Sequence, residues 1–249
     1  MDVRPRAEFG IIYTFHKKLT KILCILPSCI FPVIVLYCVC NQESRSSKKG
    51  EKTMMKAEHF ERELSLIKDP ILQDMTRGYL NEWVPEYFWK IGASSSGKFH
   101  PIFAQGTGGL VRHTKAVVMF AEELLKMSSY AYMRDDYKDY VICACIIHDT
   151  CKYGSEAEMD KTAYAQHAPN AANLFDLFCR EVWVRPVSEL LLGAVRSHMG
   201  QWSTDKEDRP FTQIDRCVHM ADYMASRPFI DIPSISAEYE AVEESDLPF

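Results

Sequence analysis

Apolar positions recur at helical spacing through most of residues 54–249, and no run alternates at period two for long enough to make a strand. The pattern predicts helices over 56–68, 70–83, 110–127, 136–151, 169–182, 186–199 and 213–226, hence an all-α domain. The stretch 91–109 is Ser/Gly-rich and irregular, longer than a connector needs, and reads as a functional loop. After Arg227 the chain turns extended and acidic and ends in Glu243-Glu244-Ser245-Asp246-Leu247-Pro248-Phe249.

The first 53 residues follow a different pattern. Ile22 to Cys40 carries no charge and follows Lys17, Lys18 and Lys21, which is long enough for a membrane span. Pro27 and Pro32 interrupt it, no small-residue cleavage site follows, and positive charge on both flanks gives no orientation. The composition changes abruptly at Met54-Met55, where an ordinary amphipathic helix opens. Two readings stand: a membrane anchor, or a misassigned start with translation beginning at Met54 or Met55. The organisation expected is a hydrophobic segment over 1–53, helices and the Ser/Gly-rich loop over 54–105, a core over 106–227 and an acidic tail over 228–249.

At 249 residues with 47% apolar and 25% charged positions, the chain can bury a full core. Its charge is uneven, net +5 over residues 1–53 and net −10 over residues 54–249. A body that acidic excludes a long nucleic-acid track, which depends on many Lys/Arg contacts to phosphate. A small phosphorylated ligand held by a metal stays open. Nine cysteines without a CxxC pair argue against a thiolate zinc site and read as reduced, partly buried thiols. The expected location is therefore cytoplasmic, or membrane-anchored if residues 22–40 belong to the protein.

Gly92-Ala93-Ser94-Ser95-Ser96-Gly97-Lys98 fits the first seven places of a phosphate-binding P-loop. Phe99 stands where a hydroxyl should touch the metal, and Pro101 blocks the helix that should follow. A loop is the better reading, with Lys98 free to reach a phosphate.

The chemistry lies elsewhere, in His113, His148-Asp149, His167, His198 and Asp222, the side chains a hard or borderline metal wants. His113 shares a helical face with Val117, Phe120 and Leu124, His148 with Val141 and Ala144, His198 with Leu191 and Val195, and Asp222 with Ile214 and Val218. Each polar group points where its helix's apolar stripe points. An unpaired buried carboxylate costs several kcal/mol, and one shared cation would neutralise Asp149 and Asp222 while accepting the imidazole nitrogens.

The order His113, His148-Asp149, Asp222 resembles the H…HD…D pattern of the HD superfamily of metal-dependent phosphohydrolases, a helical bundle. Gly108-Gly109-Leu110-Val111-Arg112-His113-Thr114 resembles the G-G-L-x-x-H-T motif of the branch that includes bacterial 3′-to-5′ exoribonucleases. His148-Asp149-Thr150-Cys151-Lys152 resembles H-D-x-x-K, and Ala221-Asp222-Tyr223-Met224-Ala225 resembles A-D-x-x-D/A. Ser197-His198-Met199-Gly200 resembles S-H-H-G with the second His replaced.

The resemblance implies one divalent ion (Mn, Mg, Fe, Co, Ni or Zn) on His113, His148, Asp149 and Asp222. Asp149 would bridge to a second ion held by His167 and His198, although the single His in the S-H-H-G-like motif leaves the number at one or two. Asp149 and Lys152 are the expected catalytic residues. Lys152 would contact phosphate or protonate the leaving oxygen, unless it serves only the helix dipole. The exoribonucleases' RNA-binding domain is absent from this sequence, so the expected substrate is a nucleotide or short oligonucleotide. Lys98, His100, Arg112 and Lys115 are the candidate phosphate contacts, and Trp202 the base-stacking surface. The competing reading is a catalytically inactive nucleotide- or partner-binding module. Its Asp246-Leu247-Pro248-Phe249 tip resembles the tip by which bacterial single-stranded DNA-binding proteins recruit replication and repair enzymes.

Overall fold

A computed structural model gives the architecture, and residues 56–94, 100–156 and 158–237 are described below. The chain divides into two units, Met1–Thr53 and Met54–Phe249. The first, with both readings of its hydrophobic stretch, lies outside the described residues, as do Lys98 and the Asp246–Phe249 tip. Among the described residues there is no strand, and no helix is long and apolar enough to cross a membrane.

The helices are α1 (Glu61–Leu64), α2 (Pro70–Glu82), α3 (Gly109–Lys126), α4 (Asp135–Ile147), α5 (His167–Val182), α6 (Glu189–Ser197) and α7 (Gln213–Ala225). Their starts are written in the sequence. Asp69 accepts from the Ile71 and Leu72 amides ahead of Pro70, the ring that suits a first helical turn. Ser188 caps α6 through the Leu190 amide, and Thr212 and Asp215 form a reciprocal capping box on α7. Three elements differ from the periodicity, and the first is the helix predicted over 56–68, which is a 3-10 turn over Lys56–Phe60 followed by α1, ending at Leu64. α6 begins at Glu189 rather than 186, because Pro186 keeps the preceding residues out of the helix and Ser188 supplies the cap. α4 stops at Ile147 rather than 151, and His148 is its C-cap.

α4 organises the bundle. Every residue from Val141 to Ile147 is buried, and a helix apolar on all sides must be covered on all sides. α3, α6 and α7 pack around it, with α2 and α5 completing the cover. Asp139 ties the start of α2 to α4, accepting from the Lys68 and Asp69 amides at 3.0 and 2.8 Å. Beyond α4, the Tyr87 hydroxyl donates to the Gly154 carbonyl at 2.5 Å and accepts from the Tyr153 amide at 3.0 Å, which pins the turn after Asp149. The described cysteines, Cys143, Cys145, Cys151, Cys179 and Cys217, are free and buried. Burial pushes the Cys143 thiol up to about 12 and that of Cys151 to about 11, so neither offers a thiolate at neutral pH.

The Ser/Gly-rich stretch closes onto the start of α3. The Ala93 amide donates to the Ala104 carbonyl and the Leu110 amide to that of Ile91, both at 2.9 Å. Gly109 makes this approach feasible, since a Cβ there would lie 2.4 Å from the Ala104 oxygen. Gly109→Ala is therefore expected to push residues 101–105 away and destabilise the fold by about 1–3 kcal/mol, the usual cost of overpacking. Urea unfolding checks this. An unchanged midpoint would mean the loop is not seated against α3 in this way.

Candidate metal centre

The helix ends carry the donors. His113 lies near the start of α3, His148 is the C-cap of α4 with Asp149 next to it, His167 opens α5, His198 is the C-cap of α6, and Asp222 sits in the last turn of α7. Three of the imidazoles are held by the same device. Nδ1 of His148 donates to the Cys145 carbonyl at 2.7 Å, that of His167 to Tyr164 at 2.6 Å and that of His198 to Val195 at 2.8 Å. Each acceptor lies three residues back, and the carbonyls of Tyr164 and Val195 also accept the backbone amide of the same histidine. A carbonyl only accepts, so Nδ1 carries the proton and Nε2 presents a bare lone pair.

Those lone pairs converge. The donors fall into two groups, His113 with His148 and Asp222, and Asp149 with His167 and His198. In the second group the two Nε2 atoms stand 3.0 Å apart, and Asp149 Oδ1 lies 3.3 Å from His167 and 3.8 Å from His198. Two bare nitrogens facing at that distance repel unless a cation lies between them. Nitrogens about 2.1 Å from one ion and about 90° apart around it would be separated by about 3.0 Å. In the first group His113 Nε2 is 3.0 Å and His148 Nε2 3.8 Å from Asp222 Oδ1, and neither nitrogen has a hydrogen-bond partner although both are buried. Asp149 Oδ2 faces this group at 3.9 Å from His113 and 3.7 Å from His148. One carboxylate thus turns one oxygen to each group. Orphaned buried nitrogens and an all-nitrogen-and-oxygen donor set without thiolate fit a borderline divalent ion.

Burial and neighbouring charge set the protonation states. Burial alone would raise the Asp149 carboxyl, but the Lys152 ammonium 2.6 Å away holds it well below the usual carboxylate range. Asp222 is lowered in the same way, with His113 and His148 outweighing burial. Burial depresses His148, and together with His148 and His167 it brings His198 down to about 3. These two imidazoles are uncharged at neutral pH, as ligands must be.

The HD domain family model matches residues 110–227. All six donors fall within that span. No curated protein and no solved structure matches the chain. HD domains bind divalent metals, and the two donor groups, both inside the matched span, are where this chain could hold them.

Around these six donors the other residues expected from the sequence take different places. Lys152 is buried, with Nζ 2.6 Å from Asp149 Oδ2. His100 packs its ring edge-on against His113 at 4.9 Å and leaves Nδ1 buried without a partner. Arg112 is buried and donates to the Phe103 carbonyl at 2.5 Å and the Gln105 carbonyl at 2.8 Å, so it fastens the loop that carries His100. Lys115 is half-buried on α3. Trp202 is 51% exposed and lies parallel to Tyr223 at 5.8 Å. Sequence reasoning missed His219, whose Nδ1 donates to the His198 carbonyl at 2.7 Å. The signal was Gly200, which has φ +60 and where a Cβ would fall 2.1 Å from the His219 ring. Tyr164 was also missed. It stacks on His167 at 5.2 Å and supplies the carbonyl that orients it.

Metal analysis of the purified protein separates the groups. His198→Ala or His167→Ala should cost one equivalent of metal, and Asp149→Ala both, with helical content retained. Stoichiometry unchanged in all three would remove these residues from the ligand set. Lys152 gives an independent check, because in the metal-free protein it is the counter-charge of Asp149. Lys152→Met should destabilise the metal-free protein by about 3–5 kcal/mol, the cost of leaving a buried charge alone, and the metal-loaded protein by less. Equal losses in the two states would contradict the shared role of Asp149.

Proposed function

We propose that the chain is a metal-dependent phosphohydrolase that cleaves a phosphate ester of a nucleotide or short oligonucleotide. The observation that carries the reading is Asp149, a buried carboxylate with one oxygen toward each of two imidazole-rich donor groups. Bound divalent ions supply Lewis acidity to the phosphoryl oxygens and lower the pKa of water. The protein's own part is to hold the donors rigid, through the backbone tethers of His148, His167 and His198, and to keep bulk water from a site whose histidines and Asp149 are buried. Lys152 balances Asp149 and can shift its ammonium toward the phosphate or the leaving oxygen once that carboxylate is otherwise neutralised. His100, beside His113, offers an unengaged ring nitrogen to the same phosphate. Lys98 and Lys115 remain candidate phosphate contacts, whereas the buried Arg112 guanidinium acts through the loop it fastens rather than on the phosphate.

The test is phosphate release by the full chain from nucleoside mono-, di- and triphosphates, cyclic nucleotides and short oligonucleotides, with Mn²⁺, Mg²⁺, Co²⁺ or Ni²⁺. We expect metal-dependent turnover that falls at least about a hundredfold in Asp149→Ala, the scale on which loss of a preorganised charge contact acts. Saturable nucleotide binding without product would overturn the reading in favour of an inactive binding module.

A further inference from the structure

A cleft of ≈ 230 Å³ opens beside the second donor group, with His167 in its wall. Two aromatic side chains line it, Tyr164 at 44% and Trp202 at 51% exposure. Each stacks on one ring and meets a second at an angle, Tyr164 with Tyr153 at 6.2 Å and Trp202 with His219 at 6.3 Å. Tyr164 stacks on His167, and Trp202 lies 10° from parallel with Tyr223, over whose ring Arg227 sits at 4.1 Å. Met199 adds an apolar surface, Ser203 and Thr204 add hydroxyls, and Asp208 is the single carboxylate. No lysine or arginine is among the lining residues. Asp208 makes no hydrogen bond or ion pair among the described residues, and burial together with nearby Asp205 pushes its carboxyl above the ordinary value.

We propose that this cleft holds the nucleoside half of a nucleoside monophosphate, with the phosphate at the His167 end on the buried donors. The inference rests on the phosphohydrolase reading and narrows its substrate. A wall of aromatic faces favours a flat ring, since base stacking on an aromatic side chain is tolerant of sequence and strong. An ionised carboxylate only accepts, so Asp208 suits the hydroxyl and N–H donors of an uncharged nucleoside. A second phosphate, whether of a diphosphate or of the next nucleotide in a strand, would meet that carboxylate with no lysine or arginine in the cleft wall, the nearby Arg196 being outside the lining and paired with Glu189. The volume argues the same way. Pockets for drug-sized ligands run roughly 300–1,000 Å³, so ≈ 230 Å³ admits one base and its sugar but not a dinucleotide.

The test compares kcat/KM of the Mn²⁺-loaded full chain for AMP, ribose 5-phosphate, ADP and the dinucleotide pApA. AMP should exceed each of the others by about tenfold or more, the scale of one stacked base. Trp202→Ala should cut the ratio of AMP to ribose 5-phosphate by about tenfold, and Asp208→Lys should raise pApA relative to AMP. Both side chains are at least partly exposed, so the variants should fold. Preference for pApA or ADP, parity of AMP with ribose 5-phosphate, or ratios unmoved by both substitutions would overturn the proposal while leaving a phosphohydrolase. If none of the four is hydrolysed but another nucleotide of the wider panel is, the proposal falls and the phosphohydrolase reading stands; if nothing in the panel is hydrolysed, the phosphohydrolase reading fails instead. Calorimetry with AMP then decides the cleft: about tenfold weaker binding in Trp202→Ala upholds it, and equal binding overturns it.

Discussion

A carboxylate buried at the end of an apolar helix is the constraint on which the rest depends. Asp149 is 3% exposed and follows α4, whose last seven residues are all buried. An isolated ionised group there would cost several kcal/mol even after relaxation. The fold answers with charge and donors from four directions: Lys152 from the turn after α4, His113 from α3, His167 from α5 and His198 from α6. Removing the carboxylate would leave a buried ammonium and a set of imidazoles with no reason to face one another. The elements that carry no donor serve the same end. α2 is locked to α4 by Asp139, and Tyr87 fixes the turn from which Lys152 reaches back.

Orientation is solved by repetition. A histidine at a helix end donates to a carbonyl three residues back, and in doing so fixes its own tautomer and aims Nε2 away from the helix. His148 and His198 do this at C-caps, and His167 does it through the short turn that precedes α5. Both local stability and ligand geometry follow from one hydrogen bond. That bond leaves buried nitrogens facing each other, an arrangement unfavourable in the empty protein and favourable around a cation. The centre is therefore preorganised for a charge it does not itself contain.

Much of this was legible in the sequence because it rests on local rules. Helical periodicity placed the helices, and the faces shared by His113, His148, His198 and Asp222 with apolar neighbours placed their side chains inward. The capping residues Asp69, Ser188 and Thr212 fix the starts, and Ser188 corrects the one that periodicity put at 186. What could not be read depends on contacts distant in sequence. The burial of Arg112 comes from a loop folding back to its own helix, and the pairing of Trp202 with Tyr223 from the packing of a turn on α7, whereas the division of the donors into two groups was expected only through the family resemblance, since how the helices cross is not a local property. The end of α4 was misjudged because apolar periodicity runs on past Ile147, whereas His148 already turns its ring to a carbonyl of the last turn.

The missing second histidine of the S-H-H-G-like motif takes on a different meaning once the site is seen. Asp149, His167 and His198 converge without a contribution from position 199. Met199 instead lines the cleft, where a thioether is a pliable apolar surface that an imidazole would make polar. The next residue, Gly200, keeps its left-handed backbone because His219 fills the space a side chain would need, and His219 in turn holds the carbonyl of His198. A short run of residues thus does three jobs in sequence: it presents a ligand, sets the polarity of the adjoining cleft, and admits the histidine that braces the ligand's backbone. A substitution at position 199 therefore bears first on what the cleft accepts, and one at Gly200 or His219 on how firmly the donor is held.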